Sequence, residues 1–76
     1  MHLEILTPEK KFFTGDVTIV TFPGSDGSFQ VMDDHAPLIS LLKEGVVEYK
    51  GKEGTKNLRI KGGVVEVLKN KVILLA

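Results

Sequence analysis

The chain contains no cysteine and no tryptophan, and neither sign of charge is in excess. Without cysteine, neither a disulfide framework nor a thiolate metal site is available, so the fold must rest on packing. Ten basic and ten acidic residues give a formal net charge of zero. This balance removes the long-range attraction that draws a basic domain to nucleic acid or to an anionic membrane. A polyanionic partner is therefore disfavoured.

Long apolar runs are also missing. The longest one, Val72–Ala76, is far too short to span a bilayer, and Met1–Lys10 has no apolar run of signal-peptide length. No segment shows the 3.6-residue periodicity of a long helix. We therefore expect a chain that its own sequence neither exports nor embeds, in a cytoplasmic or matrix-type compartment. Its 76 residues leave room for one domain, residues 1–76.

Aromatic residues are few and do not suggest a nucleic-acid surface. They are Phe12, Phe13, Phe22, Phe29 and Tyr49. Basic residues are not interleaved with them, as a base-stacking platform would require. We expect the phenylalanines to pack between two β-sheets.

The chain does have short apolar and β-branched segments, separated by Gly, Pro, Asn or Asp every 8 to 12 residues or so, a pattern typical of an all-β sandwich. Both faces of Val17–Phe22 are largely apolar, which favours a central strand. The segments interpreted as strands are His2–Thr7, Lys11–Thr14, Val17–Phe22, Ser28–Met32, Leu38–Leu42, Val46–Lys50, Leu58–Lys61, Val64–Leu68 and Val72–Leu75.

Turn-forming residues predict how these strands connect. Pro23–Gly27 is dense in turn formers and predicts a hairpin, and Lys69–Lys71 predicts another, since Asn70 tolerates a positive φ. Pro37 disfavours helix before it, so Asp33–Pro37 should be an ordered loop or at most one helical turn. The polar stretch Gly51–Lys56 should be the most mobile connection.

Candidate catalytic and metal-binding residues are sparse. His35 follows Asp33 and Asp34, which would suit a general base oriented by a carboxylate, but no supporting motif marks a serine or cysteine nucleophile. These three residues and the distant His2 do not have the spacing of a metal site. The residues thus favour a non-catalytic domain without a metal.

Two further motifs point to other kinds of site. The glycines of Pro23–Gly27 could expose backbone N–H groups to a phosphate, but the Lys-Ser/Thr ending and the following helix of a phosphate-binding loop are absent. Lys69 and Lys71 flank a predicted hairpin tip, like the presented lysine of lipoyl and biotinyl domains. A small carrier or ligand-binding β-domain of that type is the alternative function.

Several motifs, taken together and in order, resemble one family. They are Leu3-Glu4-Ile5 with Thr7-Pro8, Phe13-Thr14-Gly15, Pro23-Gly24-Ser25-Asp26-Gly27-Ser28-Phe29, His35-Ala36-Pro37-Leu38 and Gly62-Gly63-Val64-Val65-Glu66-Val67. The chain resembles, from Met1 to Ala76, the epsilon subunit of F-type ATP synthase, which is equivalent to the mitochondrial delta subunit.

The resemblance implies a fold, a role and a location. The fold would be a flattened antiparallel β-sandwich of about ten short strands. The role would be that of a non-catalytic rotor subunit without a cofactor, which links the gamma subunit to the proteolipid ring and transmits torque in a proton- or sodium-translocating enzyme. The location would be peripheral, on the cytoplasmic face of a bacterial membrane.

The resemblance also implies two sets of contact residues. Asp26 and Ser28 would face the polar loops of the ring. Ser28 stands where many relatives carry a carboxylate, and Asp33-Asp34 is expected to replace that charge. Thr7, His35 and Ser40 would face the gamma subunit. Relatives commonly continue into two helices that restrain ATP hydrolysis and in some cases bind ATP. Neither property carries over to residues 1–76.

Overall fold

Alternating core-facing and outward side chains give most of the chain its strand structure. The computed structural model describes residues 1–76 and contains nine strands and no helix. The strands are β1 (His2–Leu6), β2 (Lys11–Asp16), β3 (Ile19–Gly24), β4 (Gly27–Met32), β5 (Leu38–Leu42), β6 (Gly45–Gly51), β7 (Gly54–Ile60), β8 (Gly63–Leu68) and β9 (Lys71–Leu75). The all-β prediction is confirmed.

The strands form one curled sheet that divides into two layers. One layer has the order β2-β1-β9-β8-β5 and the other the order β4-β3-β6-β7. They join where β3 meets β5, through the single backbone pair of Gly24 with Leu42. Because β3 pairs with β6 through Ile19–Thr21 and with β5 only at Gly24, the two layers fold over one another as a sandwich.

A single hydrophobic core lies between the layers. It contains fourteen buried apolar residues, and no polar or charged side chain is buried. Leu3 and Ile5 enter it from β1, whereas Val20 and Phe22 enter it from β3. The Phe13 ring on β2 lies 4.8 Å from the Tyr49 ring on β6, so aromatic packing also connects the layers.

One strand pair is parallel, although the expected sandwich was antiparallel. β1 lies between β2 and β9; it is antiparallel to β2 and parallel to β9, with His2 opposite Lys71 and Leu6 opposite Leu75. All other pairings are antiparallel. β1 and β9 lie far apart in the chain, so no tight turn forces them to run in opposite directions.

Turn chemistry accounts for the hairpins. Lys69 (φ 49°) and Asn70 (φ 62°) both have positive φ, the requirement of the tight turn that joins β8 to β9. The predicted hairpin between β3 and β4 is also present, with Gly27 at φ 128°.

Several strand boundaries differ from the expected ones, most of them by one residue. β2 continues through Gly15 and Asp16, because these residues pair with Leu3 and His2. β3 begins at Ile19, because the N–H groups of Val17 and Thr18 instead donate to the carbonyls of Met1 and Lys50, at 2.9 and 2.7 Å. β7 begins at Gly54 rather than at Leu58, because Gly54 pairs with Gly51 and the connection from β6 is a tight hairpin. The chain contains no helix of the length and apolar character needed to cross a bilayer.

Candidate interaction surfaces

The two ends of the sandwich carry different loops. The first, which we call the Asp26 end, holds the β3–β4 turn, whose Ser25 N–H donates to the Leu41 carbonyl at 3.0 Å. It also holds the turn after β1. The last residue of β1, Leu6, pairs with Leu75 of β9, and its carbonyl accepts a hydrogen bond from the Ala76 N–H. The second, the Asp33 end, holds Met1, the loop before β5 and the β8–β9 turn.

The structure brings Asp26 and Ser28 together but separates them from Asp33. Asp26 and Ser28 are both exposed at the Asp26 end, with Ser28 opposite Pro23 on the outer side of β4. Asp33 follows the last residue of β4, and the intervening strand spans about 17 Å. Its carboxylate binds the Met1 amino group at 2.7 Å. The three predicted ring-facing residues therefore occupy two opposite ends.

The residues predicted to face gamma are also spread along the molecule. Thr7 lies at the Asp26 end, where its hydroxyl donates to the Lys10 carbonyl at 3.0 Å. His35 lies at the Asp33 end. Ser40 is half-buried on β5 between them, opposite the buried Val65, so it points to the core side of the layer. The structure does not bring these three side chains into one cluster.

His35 is fixed by its own loop. Its backbone N–H donates to the Met32 carbonyl at 3.2 Å, and its Nδ1–H donates to the Ala36 carbonyl at 2.7 Å. Asp34, with φ 62°, donates its N–H to Asn70 Oδ1 at 3.0 Å. Asp33–Pro37 is thus an ordered loop without a helical turn, as expected. Neither neighbouring aspartate hydrogen bonds to the imidazole, and no group of three metal-ligating side chains assembles.

The outer side of the five-stranded layer carries a row of apolar side chains. Leu41 on β5 lies opposite Val64, which lies opposite Leu75, which in turn lies beside Leu6. This apolar row therefore crosses four adjacent strands. Ile39 and Leu41 are 71% and 65% exposed, and Leu75 is 52% exposed. The surface that we call the apolar face consists of Leu6, Ile39, Leu41, Val64, Ile73 and Leu75, and the exposed Glu66 lies on it between Ile39 and Ile73.

One ionic cluster lies beside this row. Glu4 is opposite Ile73 on the outer side of β1, and its carboxylate oxygens lie 3.5 Å from Lys11 Nζ and 3.5 Å from Lys71 Nζ. Desolvation raises the pKa of Glu4, but the attraction of Lys71 and Lys11 outweighs it, so the pKa lies below its ordinary value. The carboxylate is therefore held ionised against a partly apolar surface.

The outer side of the four-stranded layer also carries exposed apolar residues, Met32 and Val46, but a polar row lies between them. Its central row runs Gln30, Thr21, Glu48 and Asn57 across β4, β3, β6 and β7. Gln30 Nε2 donates to Thr21 Oγ1 at 3.2 Å, which satisfies two of these side chains within the row. We call this surface the polar face.

Sequence reasoning had not identified the apolar face. Its signal is present in Leu38-Ile39, Leu41-Leu42 and Val72–Leu75, where consecutive residues are apolar. In a strand whose side chains alternate between two faces, such a run leaves apolar groups on the side away from the core. A domain with one core then exposes them.

Contiguous exposed apolar surface is common where a domain contacts another macromolecule. The strand order and the single core define the chain as a β-sandwich domain. The family comparison identifies it further: residues 1–76 match the family of the ATP synthase delta/epsilon chain β-sandwich domain, and the chain belongs to that family. The resemblance seen in the sequence is thus confirmed.

Individual relatives agree with this assignment. The chain is 47% identical over 76 residues to the ATP synthase epsilon chain of Campylobacter fetus, covering 99% of this chain and 59% of that protein. It is 49% identical over 74 residues to the epsilon chain of Chlorobium limicola, covering 96% and 84%. The chain thus spans less than two thirds of the Campylobacter relative.

Solved structures share the fold at low sequence identity. A chain in the cryo-EM structure of the Euglena gracilis mitochondrial ATP synthase matches with a TM-score of 0.91 at 19% identity, covering 97% of this chain and 48% of that one. A chain in the Tetrahymena thermophila mitochondrial ATP synthase, from a structure of the central stalk and c-ring, matches with a TM-score of 0.83 at 17% identity, covering 97% and 60%.

Proposed function

We propose that this chain is the β-sandwich part of a rotor subunit of an F-type ATP synthase, and that it binds the gamma subunit through the apolar face. The observation that carries this proposal is the row Leu41, Val64, Leu75 and Leu6, which crosses four strands without a polar interruption. A partner that covers this row removes apolar area from water at a gain of about 25 cal/mol per Å².

The proteolipid ring is the second proposed partner, and the two ends of the sandwich suggest how it is met. A ring surface approached by one end of a domain cannot touch Asp26 and Asp33 at once, because β4 separates them. We assign the ring contact to the Asp26 end, where Asp26 and Ser28 are exposed and close together. Asp33 is engaged with Met1 at the other end.

Torque transmission needs a stiff body more than a reactive group. The core between the layers contains no buried polar side chain, and tight hairpins join β3 to β4, β6 to β7 and β8 to β9. In this proposal the subunit is non-catalytic and peripheral, on the cytoplasmic face of a bacterial membrane, and it couples gamma to a proton- or sodium-driven ring. No feature of the cluster around Lys69 and Lys71 favours the carrier alternative, since Lys71 is engaged with Glu4.

Leu41→Glu tests the contact with gamma. Covering an unpaired carboxylate costs several kcal/mol, so affinity for gamma should fall at least about a hundredfold. Asn57→Glu adds the same charge to an exposed strand position on the polar face and should change affinity by less than about threefold. Calorimetric titration with gamma measures both. Equal losses in the two variants would refute the assignment of the apolar face.

Cysteine cross-linking in the assembled enzyme tests the ring contact. Ser28→Cys and Asp26→Cys should cross-link to cysteines in the polar loops of the ring, whereas Asp33→Cys should not. Cross-links from Asp33→Cys alone would reverse the proposed orientation of the sandwich. Cross-links from none of the three positions would remove the ring from the proposal.

A further inference from the structure

Three strands of the sandwich, β2, β4 and β7, have a neighbour on one side only. The other edge of such a strand presents unpaired backbone N–H and C=O groups, which proteins commonly protect with a bulge or with charged side chains. The pairing of β2 shifts in register between Ile5 and Leu6 of β1, and β7 carries Lys56 and Arg59. β4 has neither protection, because Gly27–Met32 contains no charged residue and pairs with β3 without a shift.

The pairing with β3 shows which backbone groups of β4 are free. Pro23 lies opposite Ser28 but has no N–H, and its carbonyl accepts the Lys43 N–H at 2.9 Å. Ser28 and Pro23 therefore exchange no hydrogen bond. In an antiparallel pair, residues that bond to the partner strand alternate with residues whose N–H and C=O groups point away. Ser28 and Gln30 thus direct both backbone groups to the free edge, and Met32 directs its N–H there.

This edge is open to solvent. Ser28, Gln30 and Met32 are exposed, whereas Val31 is buried in the core. The Gln30 side chain does not cover the edge, because its Nε2 donates to Thr21 Oγ1 of β3 at 3.2 Å and the side chain therefore lies over its own layer. An extended segment can pair with such an edge through main-chain hydrogen bonds, which adds a strand to the sheet.

The charged side chains that adjoin β4 in the chain are all acidic. Asp26 precedes the strand, and Asp33 and Asp34 follow it. Asp33 binds the Met1 amino group, whereas Asp26 and Asp34 are exposed and take part in no ion pair. A strand that pairs with β4 along its length places its own flanking residues opposite these aspartates, so basic residues there are attracted and acidic ones repelled.

We propose that the free edge of β4 binds an extended, uncharged segment of a partner protein that has a basic residue beyond each end. The segment pairs with the backbone of Ser28 and Gln30 and extends the four-stranded layer to five strands. A second copy of β4 fits less well, because antiparallel alignment would bring Asp26 of one copy near Asp33 and Asp34 of the other. Asp26 also belongs to the proposed ring contact, but the edge itself takes part neither in that contact nor in the apolar face.

The probe is a synthetic peptide of alternating threonine and valine that matches β4 in length and has a lysine at each end. NMR titration of the ¹⁵N-labelled chain should give saturable shifts along β4, and hydrogen exchange of the Ser28, Gln30 and Met32 amides should slow at least about tenfold. The same peptide with a glutamate at each end should bind at least about fivefold more weakly. Neither gamma nor the ring is present, so the outcome does not depend on the function proposed above.

Gln30→Pro and Asn57→Pro test whether the backbone of β4 makes the contact. Gly54 closes the two-residue turn by bonding to β6, so alternation directs the Asn57 N–H of β7 to a free edge as well. Proline is tolerated where such an N–H is unpaired. Gln30→Pro should abolish binding, whereas Asn57→Pro should leave it unchanged. A peptide that is N-methylated at every residue should also fail to bind, which tests the backbone contact without changing the protein.

Asp26→Asn and Asp16→Asn test the flanking charge. Asp26→Asn should reduce the preference for lysine ends over glutamate ends about threefold, whereas Asp16→Asn, on the edge strand β2, should leave the preference unchanged. The proposal is wrong if β4 shows neither saturable shifts nor slower exchange, if Gln30→Pro or the N-methylated peptide binds as well as its parent, or if the lysine- and glutamate-ended peptides bind alike.

Discussion

The two layers of the sandwich share one core but have different outer surfaces. On the five-stranded layer, the row from Leu41 to Leu6 crosses four strands with apolar side chains alone. On the four-stranded layer, the row from Gln30 to Asn57 crosses four strands with polar side chains alone. The core needs only the inner side of each layer, so packing of the core does not account for the difference between these two rows.

This comparison separates residues that build the domain from residues that suit it to a partner. Val65 and Val67 on β8 are buried in the core, whereas Val64 between β5 and β9 belongs to the apolar face. Leaving Ile39 and Leu41 exposed gives the isolated domain no stabilisation by burial. In the proposed function, the gamma subunit covers Ile39 and Leu41, which explains why these two exposed positions are apolar. Three predictions examine how each layer supports its surface.

The largest expected effect comes from glycines in the two layers. Gly63 is the first residue of β8 in the five-stranded layer. A Cβ atom added there would collide with the Leu75 carbonyl oxygen of the paired strand β9. Gly63→Ala should therefore lower the free energy of unfolding by about 3 kcal/mol or more, since backbone on both sides must shift. Urea unfolding followed by circular dichroism measures the change.

Gly54, the first residue of β7 in the four-stranded layer, is the matched control. It also has a positive φ, of 105°, but nothing lies within 4 Å of an added Cβ. Gly54→Ala should cost only the backbone strain, about 1 to 2 kcal/mol. If the two variants lost equal stability, the close pairing of β8 with β9 would not be what requires glycine at position 63.

A smaller effect is expected at the hairpin turns of the two layers. In the β8–β9 turn, Asn70 has a φ of 62° and its Oδ1 accepts the Asp34 N–H at 3.0 Å. Asn70→Ala removes this bond and strains the turn, so it should cost about 1 to 2 kcal/mol in the same measurement. Asn70→Gly removes only the bond and should cost about half as much.

The β6–β7 turn of the four-stranded layer is compared with the β8–β9 turn. Glu53 is exposed at its tip and forms one long ion pair, 3.8 Å from Lys56. Glu53→Ala should change stability by less than about 0.5 kcal/mol. A loss as large as that of Asn70→Ala would show that the two turns support their layers equally.

The smallest effect concerns acid stability. The pKa of Glu4 lies below its ordinary value of 4.5 because Lys71 and Lys11 offset the cost of desolvation. A carboxyl whose pKa is lower in the folded state stabilises the protein fully above the unfolded-state pKa, and this contribution is lost as pH falls through the folded-state pKa. Glu4→Gln should therefore flatten the loss of stability below pH 4.5.

Glu48→Gln serves as its control on the polar face, because Glu48 takes part in no ion pair. The Glu48 variant should keep the pH dependence of the parent chain. Raising the salt concentration should shrink the difference between the parent and Glu4→Gln, since exposed charges are screened. An acid limb that Glu4→Gln leaves as steep as before would contradict the role of this ionic cluster.

Local patterns in the sequence predicted much of the fold. Short apolar and β-branched segments between turn formers located all nine strands to within four residues, and Asn70 and Gly27 marked hairpins that the structure contains. These features depend on neighbours in the chain. The parallel pairing of β1 with β9 was not predicted, because it depends on which distant strand adjoins β1 in the sheet.

The candidate surfaces were harder to predict for the same reason. Asp26 and Asp33 are close in sequence, but β4 carries the chain from one end of the sandwich to the other between them. Ser40 was expected on an outer surface, whereas its pairing with Val65 turns it to the core side. Both outcomes follow from strand direction and register, which composition and motif spacing do not determine.

The place of β1 beside β9 also governs when the domain can finish folding. His2 pairs with Lys71 and Leu6 with Leu75, so the first strand waits for the last before its second edge is satisfied. β2 pairs only with β1, so the backbone pairing that joins the β1–β2 unit to the rest of its layer forms only once β9 has emerged from the ribosome. Contacts across so long a stretch of chain carry a high loop-closure cost and slow the search. Closure of the sandwich is thus a late folding step.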